Sequence, residues 1–146
     1  MMDLTTHPPR RWNETLEGYL WLPRLIDKVR AFQSGKLGHY AYPSYLDRVF
    51  LRQLGLSPAF IEQTVRQYEM DEPIGLAVRA QSRHTSEEIE RCNERFARRW
   101  RFALKLMDRD DGYVRGRGYL IPGWLQPTVW RYYQRWAAKK ASATQL

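Results

Sequence analysis

The chain contains one cysteine, Cys92, so no internal disulfide framework is available, and thiol-poor composition fits a reducing compartment. No apolar run approaches the ~20 residues that a spanning helix needs. The opening MMDLTTHPPRRW has no apolar stretch of the kind a secretory signal uses. Together these absences predict a soluble cytoplasmic protein without a transmembrane segment. The three histidines, His7, His39 and His84, do not pair at helical spacing, and none stands beside Cys92. No zinc spacing results, and neither a metal nor a cofactor is expected. A phosphate loop, a dinucleotide fingerprint, a nucleophile elbow and a Cys-x-x-Cys pair are all missing. Asp108, Asp110 and Asp111 begin like a calcium loop but lack the later ligands and the closing glutamate, so a solvated turn is expected.

Acidic residues are scarce in one region only. Residues 1–90 carry 11 Lys/Arg against 12 Asp/Glu, whereas residues 91–146 carry 13 against 4. The overall net charge of +8 is therefore a near-neutral body joined to a basic C-terminal third. That asymmetry points to an acidic partner for the basic end and says nothing of fold.

At 146 residues with 43% hydrophobic and 14% aromatic content, the chain is expected to form one domain with a single core. Residues 1–14, with Pro8-Pro9, read as a flexible lead-in, and residues 141–146 as a frayed tail. Between them, residues 15–140 are expected to hold an all-α domain of about six helices. Pro23 suits a first helical turn, and Leu25, Ile26, Val29 and Phe32 fall on one face up to Gly35. A short aromatic connection, Lys36 to Tyr42, leads to a second helix opened by Pro43-Ser44 and closed by Gly55. Ser57-Pro58 starts a third, and Asp71 is expected to cap a fourth that Gly75 weakens. Thr85 with Glu88 forms a capping-box pattern at the head of the longest helix, over residues 86–107. Residues 112–121 fit a loop or a small hairpin, and Pro127 opens a last amphipathic helix to Lys140.

Several of these elements are similar to a family of small bacterial proteins of unknown function. The resemblance rests on Leu22-Pro23-Arg24-Leu25-Ile26-Asp27-Lys28 with Arg30, on Gly38 with Tyr40 and Tyr42, on Leu46-Asp47, and on Leu54-Gly55-Leu56. Thr85-Ser86-Glu87-Glu88-Ile89, Asn93 and Asp110-Asp111-Gly112 extend it over residues 15–112. The chain departs from the family pattern at Ser44-Tyr45, where Cys-Pro is expected, and at His39, where an acid is expected. The resemblance implies no reaction, cofactor or catalytic residue.

Two groups of residues could carry function. The first is Arg24, Asp27, His39, Tyr40, Tyr42 and Asp47, which would form the polar site of a small enzyme or ligand-binding protein if they converged; a network of salt bridges and capped ends is the favoured explanation of them. If the first two helices run antiparallel across a short turn, their starts lie far apart, and Asp27 or Arg30 would approach the end of the second. The second group is basic. At 100° per residue, Arg91, Arg95, Arg98, Lys105 and Arg109 project to one side of the long helix, with Phe102 among them. Arg115 and Arg117 follow in a Gly-rich loop, and Arg131, Arg135 and Lys139 stripe the last helix. Arginines contact phosphates and aromatics stack on bases, so a non-enzymatic module for an acidic macromolecule, nucleic acid above all, is the leading expectation. A solvated cationic face fits the same pattern. Trp124, Trp130 and Trp136 could instead anchor a protein partner in a larger assembly.

Overall fold

The computed structural model describes residues 1–114 and Arg135. They are helical: β1 (Thr15–Leu16) and β2 (Tyr19–Leu20) make a minimal hairpin ahead of six helices. These are α1 (Leu22–Gln33), α2 (Tyr45–Leu54), α3 (Pro58–Gln67), α4 (Asp71–Ser82), α5 (Ser86–Arg99) and α6 (Arg101–Asp110). No helix among the described residues is long and apolar enough to cross a membrane. The chain divides into two compact units, Met1–Arg99 and Trp100–Leu146.

Helix starts follow local chemistry. Ser44 caps α2 with a reciprocal box, its hydroxyl accepting from Asp47 N–H while the Asp47 carboxylate accepts from Ser44 N–H. Ser57 caps α3 ahead of Pro58, and Thr85 with Glu88 forms the expected box at α5. The α4 cap differs: Met70 occupies the cap position and Asp71 the first turn, because the Asp71 carboxylate is engaged by two arginines.

α1 is not the one-sided helix its apolar spacing suggests. Leu22, Leu25, Ile26 and Val29 are fully buried, but so are Arg24, Asp27 and Lys28, while Phe32 is 46% exposed. An element enclosed on most sides must bury polar positions too, and those can go inside only with partners. The hairpin was also not foreseen. Thr15 faces Leu20 and Leu16 faces Tyr19, and two-residue strands are too short to show alternation. It lies against α4 at Gly75, where a Cβ would stand 2.8 Å from Leu16 Cγ, so Gly75 is a close-packing point rather than merely a weak helical residue.

The N-terminal segment expected to be flexible is packed. Leu4 is buried and its N–H bonds the Lys36 carbonyl at 2.9 Å. Gly38, at φ +63°, brings its backbone so near that a Cβ would sit 3.0 Å from the Leu4 carbonyl oxygen. The connection from Ser34 to Ser44 is thus a returning loop, not a tight turn, and it carries the start of α2 back toward α1.

The long helix expected over residues 86–107 is two helices. Trp100, at φ −105° and ψ 19°, leaves helical geometry and separates α5 from α6. On the predicted sides Ile89, Phe96, Trp100, Ala103 and Met107 are buried and Arg91, Arg95, Arg98, Phe102 and Lys105 are exposed, whereas Arg109 is half-buried. After α6 the chain turns at Asp111-Gly112. Most of the loop or small hairpin expected over residues 112–121, and all but Arg135 of the helix expected from Pro127, lie outside the described residues.

Candidate functional site

The first candidate group resolves into ion pairs in the Met1–Arg99 unit. Arg10, on the lead-in, is the hub. Its backbone N–H and guanidinium both donate to Asp27, at 2.8 and 3.0 Å, and the guanidinium reaches Asp71 at 2.5 Å. Arg30 holds the other Asp71 oxygen at 2.8 Å and donates to the Glu69 carbonyl. Burial alone would lower the Arg10 pKa, but Asp27 and Asp71 outweigh it and push the guanidinium further toward the charged form. Burial likewise opposes ionised Asp71, and Arg10 and Arg30 overcome that, holding its carboxyl below the usual range. Neither Asp27 nor Arg30 approaches the end of α2 as the antiparallel arrangement predicted. The returning loop removes that arrangement.

A second pair sits deeper. Lys28 Nζ donates to Asp47 at 2.5 Å and to the Ser44 hydroxyl at 3.1 Å. Asp47, with no exposed surface, also accepts from Trp21 Nε1 at 3.0 Å. Its two oxygens therefore take an ammonium, an indole and the Ser44 N–H. Such saturation is what a carboxylate needs to enter an apolar interior. The helix starts meet here: Trp21 precedes α1 and Asp47 lies in the first turn of α2.

Arg24 is 3% exposed, donates to the Arg10 carbonyl and lies over both Trp21 and Tyr40, 5.5 and 5.8 Å from the ring centres. His39 is exposed and stacks on Tyr40 at 4.3 Å between centres. Tyr42 turns elsewhere, donating to Glu62 at 3.0 Å and packing on Phe32. Burial pushes its phenol well above the usual range, and the bond to Glu62 adds to that. Of the six predicted residues, the structure therefore links Arg24, Asp27 and Asp47 through Arg10, Trp21 and Lys28, leaves Tyr40 and His39 above Arg24, and sends Tyr42 to another contact. Sequence reasoning missed Arg10 and Asp71, which are 17 and 44 residues from Asp27 and carry no local signal.

The amide of Asn93 performs a similar tie on α5. Its nitrogen donates to the Gly18 carbonyl at 2.7 Å and its oxygen accepts from Leu20 N–H at 3.1 Å. Nearly every residue that carried the family resemblance thus has a contact or a cap to explain it.

The model of a family described as a domain of unknown function, DUF5069, matches residues 6–114. The chain belongs to that family. The match begins ahead of Arg10, so the packed lead-in is part of the DUF5069 domain rather than an appendage to it. It stops at Val114, ahead of a stretch holding six Lys/Arg and no Asp/Glu. No curated protein matches the chain.

The basic group presents a different situation. α5 carries four glutamates and four arginines, with Glu87 and Glu88 in its first turn and Arg98 and Arg99 in its last. That order complements the helix dipole and has a structural explanation. Arg91 pairs loosely with Glu87 at 3.6 Å, while Arg95 and Arg98 are exposed and make no ion pair among the described residues. α6 inverts the pattern. It has no acid in its first turn, opens on exposed Arg101, and places Lys105 one turn later. Neither cation has an ion-pair partner among the described residues, and Phe102 beside them is 58% exposed. Arg135 is helical and exposed. Arg115, Arg117, Arg131, Lys139, Trp124, Trp130 and Trp136 lie outside the described residues. No cluster of three metal-binding side chains occurs among the described residues.

Proposed function

We propose that this DUF5069 protein is a non-enzymatic binding module for an acidic macromolecule, with nucleic acid the favoured partner. The observation that carries the reading is the start of α6. Arg101 stands in the first turn, where the helix dipole disfavours positive charge, and Lys105 lies one turn on; both are exposed and have no ion-pair partner among the described residues. Their placement does nothing for the helix, and an external polyanion is a group that would use it. Arg91, Arg95 and Arg98 on α5 offer further cations to solvent. The lysines and arginines after residue 114, Arg115, Arg117, Arg131, Arg135 and Lys139 among them, add charge of the same sign.

Phosphate contacts release counterions, so binding should weaken steeply as salt rises. The test is fluorescence anisotropy with labelled nucleic acid across a salt series. Replacing Arg95, Arg98, Arg101, Lys105, Arg131 and Arg135 by Glu is expected to abolish binding while circular dichroism stays unchanged. Binding as tight as wild type by the folded variant would falsify the reading.

A further inference from the structure

The exposed phenyl ring of α6 sharpens the choice of partner. Ala103, Leu104, Leu106 and Met107 are buried and fix the rotation of this helix. Phe102, Arg101 and Lys105 then share the opposite side, within about 100° of arc. All three are exposed, and Phe102 is 58% so. A single exposed apolar ring is ordinary on a protein surface; what distinguishes Phe102 is that it shares its side of the helix with two exposed cations. A duplex offers such a ring only groove edges, or a base step that must first be unstacked at a cost of a few kcal/mol. An unpaired base offers an open π-face within reach of its own phosphate, and each base–aromatic stack adds to affinity without regard to sequence.

We propose that α6 binds single-stranded nucleic acid, with Phe102 stacking on an unpaired base while Arg101 and Lys105 hold the adjoining phosphates. This rests on the polyanion reading above. The arrangement predicts preference for single strands over duplex and little dependence on base identity. RNA and DNA strands share the chemistry required, and the two are compared directly.

The experiment measures anisotropy of the full chain with a labelled oligouridylate of about 12 nucleotides, its oligothymidylate counterpart and a duplex of equal length. Phe102→Ala is expected to weaken single-strand binding about tenfold, with duplex binding and the salt slope unchanged. Phe102→Trp should restore or improve it. Because Phe102 is exposed, the variants should keep the wild-type circular dichroism spectrum. Tight binding to either single strand that depends on Phe102 supports the proposal. Equal binding of duplex and single strand, unchanged in Phe102→Ala, overturns the proposal and leaves the polyanion reading standing. No binding of any probe at low salt removes both. Light scattering that shows a dimer dissolved by Phe102→Ala would also overturn it, because the ring would then serve a second copy of the chain.

Discussion

Cations in this protein meet two fates. On α1, Lys28 is buried and answered by Asp47, and Arg30 is answered by Asp71, which Arg10 also holds. On α5 and α6, Arg95, Arg98, Arg101 and Lys105 face water and are answered by no carboxylate among the described residues. The difference follows from desolvation. Removing a charge from water costs several kcal/mol, so an interior cation needs partners of good geometry, an acid for Lys28 and a carbonyl with two aromatic rings for Arg24. An exposed cation incurs no such cost and needs no partner for stability. Pairing is therefore informative about folding, and its lack leaves charge available to something outside the chain.

The comparison breaks most visibly at Lys28. Replacing it by Met leaves Asp47 in the interior without its ammonium, and unfolding free energy should fall by about 3–5 kcal/mol in urea titration. A variant as stable as wild type would mean that burial does not compel the pairing. Next comes Asn93→Ala, which strips both bonds from the hairpin backbone and should cost about 1–3 kcal/mol by the same assay.

A smaller effect is expected from pH. The folded pKa of Asp71 is lowered, so its pairing stabilises the fold above the ordinary carboxylate range and ceases to do so as pH falls through the folded value. Wild type should therefore lose more stability than Asp71→Asn on acidification from about pH 6 to about pH 3. Asp71 is partly solvated, so the gap should stay under about 1 kcal/mol. Parallel urea midpoints for the two proteins across that range would rule the contribution out. Least of all should the double variant Arg95→Ala, Arg98→Ala alter stability: a change within about 0.5 kcal/mol is expected. A larger loss would place those arginines among the structural cations after all.

What could be read from the chain and what could not divides along the same line. Caps at Ser44, Ser57 and Thr85 act over three residues, so their chemistry is visible locally. The buried and exposed sides of α5 and α6 were also legible, because amphipathic spacing survives a one-residue interruption. The break itself was not, since Trp100 carries no helix-breaking chemistry. The environment of α1 was hidden because its polar residues find partners far along the chain. Arg10 meets Asp71 across 61 residues, and Trp21 meets Asp47 across 26. Apolar spacing cannot reveal that a charged position is inside. The candidate pocket shows the same gap: Arg24, Asp27 and Asp47 were named together, but Arg10, which ties Arg24 to Asp27 from far along the chain, was not visible.

The Asn93 amide has a consequence beyond the strength of its two bonds. A two-stranded hairpin leaves a row of donors and acceptors along each free border, and any extended peptide of suitable length can add to it. By offering a donor to Gly18 and an acceptor to Leu20, one side chain of α5 occupies the hydrogen-bonding positions that a third strand would claim. The hairpin is finished on that border by a helix. Neighbouring molecules, crowded and partly unfolded chains included, find no template there on which to grow a sheet.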